Sequence, residues 1–331
     1  MKKIALVGLG KMGLLHASIL SSMPDVQISC ICETNSLIRM FGERALSGIP
    51  LVKNVKELKG AQIDAVYVTT PAATHYPVIT TIYEKGISNN IFVEKPFTFD
   101  HLQSNELCEL AEQNKGITMV GYMKRFAPTF KMARSYIDEG KLGKVTSFAG
   151  HSYSSDFCSN GDFIPQAFAR GDVLRDIGCH ALDMMLWMLG DMDVLSAELT
   201  MKNNAQLSYV DSAHVKINCS NSSEGTFDAS WSRANYRLPE IGINVIGTLG
   251  KINVTEDLFE FHSNTNKESV NKMRPELEGG VPFFLAESDY YHEDRHFVDS
   301  LNSGNATSSD FSCAANTDLI IEKILKMGHH G

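Results

Sequence analysis

The 331-residue chain is 43% hydrophobic, 21% charged and 9% aromatic, the composition of an ordinary folded protein rather than a disordered or fibrous one. Its 30 Lys and Arg face 39 Asp and Glu, yet the first 60 residues hold 8 basic and 4 acidic groups, so the acid excess lies beyond them. Such a surface repels phosphate backbones, which excludes nucleic acid as a partner, and the longest near-apolar run, Ala181 to Leu189, is too short to span a bilayer.

Met1-Lys2-Lys3 leads straight into Ile4–Val7, without the long apolar segment of a signal peptide. Seven scattered cysteines with no CxxC pair read as reduced thiols, so the expected setting is the cytoplasm. The length exceeds what one core usually serves, and the texture of the sequence changes near residue 122. Two domains are therefore expected, 1–122 and 123–331. In the first, apolar runs Ile4–Val7, Val26–Cys32, Ala65–Thr69, Ile91–Val93 and Thr118–Gly121 alternate with helical stretches Met12–Met23, Ser36–Leu46, His75–Lys85 and Asp100–Gln113. That alternation predicts a parallel sheet covered on both faces, with Asp100 capping the last helix.

Gly8-Leu-Gly10-Lys11-Met12-Gly13 sits between the first strand and the first helix, the context that gives GxGxxG its meaning. Gly8 permits the turn, Gly10 admits a pyrophosphate, and Gly13 lets helix and strand pack closely. The N–H groups that open the helix, around Lys11 and Met12, face the anion. Glu33 lies 20 residues past Gly13 at the end of the second strand, where a carboxylate accepts from a ribose diol and repels a 2′-phosphate. The reading is NAD rather than NADP, with Thr34 and Arg39 as neighbouring polar groups. Further along, Thr70, Pro71 and His75 follow the third expected strand and line the nicotinamide side. Glu94-Lys95-Pro96 ends the fourth, where the Lys95 ammonium can steady a hydroxyl oxygen.

The second half begins with a helix (Pro128–Glu139) and a strand (Lys144–His151). A single helix is expected over Val173–Leu189, placing Asp176, His180 and Asp183 on one face at i, i+4 and i+7. A histidine between two carboxylates suits a general base acting on an alcohol, and equally a buried histidine satisfied by its neighbours. Six closely spaced runs between Val194 and His262 read as antiparallel strands, residues 263–280 as a polar loop, and Leu285–Leu301 and Asp310–Met327 as helices. His292-Glu-Asp-Arg-His296 spells the zinc-protease HExxH, but no third ligand follows at a familiar spacing. No metal is expected.

Taken together, these motifs resemble the glucose–fructose oxidoreductase and inositol dehydrogenase family (Gfo/Idh/MocA) over nearly the whole chain. The resemblance rests on Gly8–Gly13 with His16, Thr70-Pro71 with His75, Glu94-Lys95-Pro96, Gly121-Tyr-Met-Lys-Arg125-Phe126, Asp176-x-Gly-x-His180-x-x-Asp183 and Ile246-Gly-Thr-Leu-Gly250. It implies an N-terminal Rossmann doubly wound parallel sheet and a C-terminal α/β domain with an open, mainly antiparallel sheet, commonly assembled as homodimers or homotetramers. It also implies NAD(P)-dependent oxidation of a secondary hydroxyl of a sugar, cyclitol or sugar nucleotide. The family's catalytic lysine, aspartate and histidine fall on Lys95, Asp176 and His180. Arg125 and Asp183 fall where relatives contact sugar hydroxyls, and Tyr153, Asp156, Tyr236 and Arg237 are candidate substrate walls. Two other readings stay open: a catalytically silent NAD or sugar sensor, and an enzyme that retains its cofactor to drive elimination or exchange.

Overall fold

The computed structural model describes residues 1–46, 48–156, 170–203, 208–236, 238–263, 267–271 and 288–328. The chain divides into two compact units, Met1–Met123 with Gly279–Ala315, and Lys124–Glu278 with Asn316–Gly331. The first is built on six parallel strands, β1 (Lys2–Val7), β2 (Val26–Cys32), β3 (Leu51–Val52), β4 (Ala65–Val68), β5 (Ile91–Glu94) and β6 (Thr118–Gly121), in the order β3-β2-β1-β4-β5-β6. Helices α1 (Lys11–Ser21), α2 (Ser36–Ala45), α3 (His75–Glu84) and α4 (His101–Asn114) connect them.

Strands β4 and β5 are buried along their whole length, which is why they read as unbroken apolar runs rather than alternating ones. The strand order reverses between β1 and β4, so their carboxyl ends open a crevice in which such sheets bind ligands. Asp100 caps α4 as expected, its carboxylate accepting from Leu102 N at 2.9 Å. Strand β3 was not expected, because two residues carry no period; its register against β2 (Ile31 with Leu51, Cys32 with Val52) forms it.

The second unit carries α5 (Pro128–Asp138) and an eight-stranded sheet: β7 (Val145–Tyr153), β8 (Met192–Asn203), β9 (Ser208–Cys219), β10 (Glu224–Ser230), β11 (Glu240–Gly247), β12 (Gly250–Thr255), β13 (Leu258–Ser263) and β14 (Lys267–Asn271). Their order is β14-β13-β12-β11-β7-β10-β9-β8. All neighbours run antiparallel except β10 and β7, since β7 enters the middle of the sheet from earlier in the chain. Strand β14 corrects the expected loop over 263–280, of which 264–266 and 272–280 lie outside the described residues. The expected helix over Val173–Leu189 is present, with one turn wound differently. A π-helical turn, Leu174–Gly178, precedes α6 (Cys179–Leu189).

Helix α6 packs on β7 at close range: a Cβ on Gly150 would lie 2.3 Å from Met185 Sδ. Ser152 Oγ donates to Ile177 O at 3.0 Å, so Phe148, Gly150 and Ser152 face the helix while Ser147, Ala149, His151 and Tyr153 face away.

Helix α7 (Ser288–Ser303) belongs to the first unit, correcting the expected boundary that gave everything after 122 to the second. Arg295 forks onto Asp25 at 2.7 and 2.9 Å. Just beyond, Val120 N donates to Ser309 O at 2.8 Å, which covers the sheet edge at β6. Pairings across nearly 200 residues leave no local trace. Helix α8 (Phe311–Gly328) closes the described chain, and no described helix is long and apolar enough to cross a membrane.

Candidate active site

The glycine loop is shaped for a dinucleotide. Gly8 has φ +99°, and a Cβ there would stand 2.9 Å from the Thr69 and Thr70 backbone. A Cβ on Gly13 would meet Gly8 O at 2.1 Å, whereas nothing stands within 4 Å of the Gly10 position. Helix α1 starts with no side-chain cap and no acid in its first turn, so its opening N–H groups and dipole are left for an anion. A pyrophosphate fits this cradle.

Glu33 is 8% exposed, with Oε2 accepting from Leu9 N at 2.8 Å and Oε1 from Asn35 N at 2.7 Å. The carboxylate is thus pinned at the end of β2. Arg39 donates to Glu33 O and Thr34 O at 2.8 and 3.3 Å, so its guanidinium braces the main chain. Changing Glu33 to Gln keeps an acceptor and removes the charge. Its NAD-over-NADP preference, read as a ratio of kcat/KM values, is expected to fall roughly tenfold or more, because the repulsion of the 2′-phosphate is gone.

His75 departs from the sequence expectation. His75 is fully buried, Nδ1 facing Pro96 O at 3.0 Å and Nε2 facing Thr70 O at 2.9 Å. Burial pulls its pKa below the usual value while the facing carbonyls oppose the shift, and the buried ring stands as a strut between two loops rather than a nicotinamide contact. Thr70 and Pro71 lie on the loop it holds, where Thr74 Oγ1 donates to Pro71 O at 2.7 Å and stands 2.8 Å from Thr70 Oγ1. Glu94 is also buried and is tied to neighbours: His16 Nε2 bonds Oε1 at 2.9 Å, and Lys95 N donates to Oε2 at 3.0 Å. Its carboxylate therefore orders the turn that carries Lys95, which precedes a cis Pro96.

In the second unit, Asp176 Oδ2 accepts from Trp231 Nε1 and from Arg170 Nη1, each at 3.2 Å. Arg170 also donates to Asp156 at 3.0 Å, which joins that expected wall residue to the same network. The sequence reading missed both Arg170 and Trp231. A buried indole N–H normally finds an acceptor, so Trp231 at a strand end was the available signal. His180 stands near the start of α6, almost wholly buried.

Arg125 and Asp183 close on one another. Nε donates to Oδ2 at 2.8 Å and Nη2 to Oδ1 at 2.5 Å, with both residues buried and Trp187 beside the guanidinium at 5.9 Å. Burial raises the Asp183 carboxyl above its ordinary pKa, and the Arg125 fork limits the rise. The geometry makes the pair a brace for α6 rather than two free sugar contacts. Tyr153 and Tyr236 meet edge to face at 5.1 Å, with Arg233 over the Tyr153 ring. Because Ser152 faces α6, Tyr153 points to the opposite side of the sheet, into a shallow concavity of about 210 Å³ with Glu198, His214 and Asp228. The strand alternation thus turns it away from His180. Arg237 lies outside the described residues, as do residues 157–169.

The HExxH histidines do not converge. His292 is exposed, and His296 Nε2 accepts from Ser308 N at 3.0 Å. Metal-type side chains do gather at His16, Glu293 and Asp294, with candidate ligand atoms within 4.8 Å of one another. Both His16 nitrogens there already face carboxylates. Glu293 is fully buried with neither carboxyl oxygen hydrogen-bonded among the described residues. Burial, and then the neighbouring Glu94 charge, push its pKa well above 4.5 and favour its protonated form. Such an acid binds its proton more tightly folded than unfolded, so its contribution to stability is full below 4.5 and falls as pH rises. Glu293→Gln is therefore expected to unfold at higher urea than the parent at neutral pH, with the advantage shrinking as the pH is lowered from neutral towards about 4.5.

Residues 2–122 match the family described as "Oxidoreductase family, NAD-binding Rossmann fold", and residues 130–253 match the "GFO/IDH/MocA C-terminal domain". The chain is 29% identical over 260 residues to scyllo-inositol 2-dehydrogenase (NAD(+)) of Bacillus subtilis (strain 168), spanning 76% of this chain and 72% of that protein. With inositol 2-dehydrogenase of Rhizobium meliloti (strain 1021) it shares 28% identity over 195 residues, 58% of this chain and 56% of the relative. Its fold superimposes on levoglucosan dehydrogenase in complex with NADH at TM-score 0.86 and 19% identity, covering 99% of this chain and 97% of the other.

Proposed function

The chain belongs to the Gfo/Idh/MocA oxidoreductase family, an NAD-binding one, and on that premise we propose that it oxidises a secondary hydroxyl of a sugar, cyclitol or sugar nucleotide. The observation that carries the reading is the Asp176 carboxylate, fixed by Trp231 and Arg170 four residues before His180. Bound NAD supplies the hydride acceptor. His180 removes the hydroxyl proton while the carbon–hydrogen electron pair leaves as hydride, so the C–OH becomes a carbonyl. Asp176 orients the imidazole. Lys95 steadies the oxygen as negative charge develops on it. In the reverse direction His180 returns the proton. Arg125 and Asp183 hold α6 in place for this chemistry. Names of relatives support a polyol substrate, scyllo-inositol and inositol among them. The same reading includes a homodimer or homotetramer and a cytoplasmic setting.

The test is NADH formation by the purified protein across free sugars, cyclitols and sugar nucleotides, with NADP as comparison cofactor. Turnover confined to one of these substrate classes is expected. Silence across the panel in a protein that still binds NAD would favour a sensor and sink the reading.

A further inference from the structure

We propose that His16 is a positioning residue for Lys95, bridging Asp294 to Glu94 so that the Glu94 carboxylate holds the Lys95 main chain in place. The inference rests on the role proposed above for Lys95. His16 lies on α1, three residues past Gly13, and is fully buried. Its Nδ1 faces Asp294 Oδ1 at 2.8 Å and Oδ2 at 3.0 Å, while Nε2 faces Glu94 Oε1 at 2.9 Å. The second Glu94 oxygen accepts the Lys95 N–H at 3.0 Å. One chain of contacts thus runs from α7 through α1 to the residue after β5.

The ring has no room to turn. Phe92, Tyr67 and Tyr290 surround it with centroids at 5.1, 5.7 and 6.2 Å. Carboxylates at both nitrogens require a proton on each, so the ring is an imidazolium and each contact is charge-assisted. Burial alone would pull the ring towards neutrality, but Asp294 and Glu94 reverse that and raise its pKa well above the usual value. Without Asp294, nothing in this set holds the Nδ1 proton, and a neutral ring grips Glu94 more weakly. Helix α1 begins within the glycine loop and carries His16, so the device fixes the expected catalytic amine relative to the cofactor cradle.

The test is a double-mutant cycle. His16→Gln, Asp294→Asn and Lys95→Met are made singly, and the first two are combined with Lys95→Met. NADH formation is followed with the polyol that the panel identifies, and NAD binding by calorimetry. His16→Gln is expected to lower kcat by about tenfold to a hundredfold, with the NAD Kd within about threefold of the parent. Asp294→Asn, which keeps the shape of the site if His16→Gln does not fold, is expected to lower kcat less, again with NAD binding kept. In the Lys95→Met background neither change should lower kcat further, because the group they position is gone. Losses that multiply, or a kcat unchanged in both single variants, would overturn the inference. A Lys95→Met enzyme with full turnover overturns instead the role of Lys95 and the inference built on it. A substrate-free readout runs alongside: labelling of Lys95 by an amine reagent, mapped by peptide mass spectrometry, should change about threefold or more in His16→Gln while Lys11 labelling stays as in the parent. Unchanged Lys95 labelling contradicts the positioning role.

Discussion

Replacing His180 by alanine is expected to lower kcat by about 10²–10⁴-fold, the usual contribution of a positioned proton acceptor. NAD affinity should stay within about twofold, because the cradle at Gly8–Gly13 and Glu33 belongs to the other compact unit. Steady-state NADH formation and calorimetric NAD binding measure the two quantities separately. The loss should appear in kcat and kcat/KM together, as for a group that acts in the transition state. A variant that turns over at the parental rate would remove His180 from the chemistry, however well its surroundings suit a base.

The second large effect concerns stability. Asp183→Ala leaves the Arg125 guanidinium buried without its carboxylate, a change that typically costs about 3–5 kcal/mol. Both tryptophans, Trp187 and Trp231, lie in the same compact unit as this pair. Fluorescence in a urea titration therefore reports the affected unit directly. The double variant Arg125→Met with Asp183→Leu should recover most of the loss, since replacing a whole buried pair by apolar groups is often neutral or stabilising. If the single variant unfolds at the parental midpoint, the pair does not brace α6 and its place in the account fails.

How far the sequence could be read depends on how local each signal is. The glycine loop, Glu33 and the Asp100 cap were legible because each depends on spacing within one strand–turn–helix segment. Strands β4 and β5 were legible because burial on both faces makes them plainly apolar. The π turn at Leu174–Gly178 was not: residues at i and i+4 look alike in sequence whether the chain winds in an α or a π turn. Tyr153 went astray by a single residue, since in a strand one position decides the face and Ser152 has the helix side. Arg125 and Asp183 were expected to meet sugar hydroxyls, and only three-dimensional structure shows them closed on each other. The return of α7 to the first unit, and with it the partner of His16, depends on contacts 278 residues apart. No period or motif encodes such a contact.

The account's central claim is hydride transfer from a substrate carbon to NAD, and deuterium tests it most directly. The polyol that turns over is labelled at the carbon undergoing oxidation, and the NADH formed is analysed by mass spectrometry. One deuterium per NADH, with none released to water, is the predicted result. Deuterium in the solvent, or product formed without labelled NADH, would contradict the account and point to elimination or exchange on a retained cofactor.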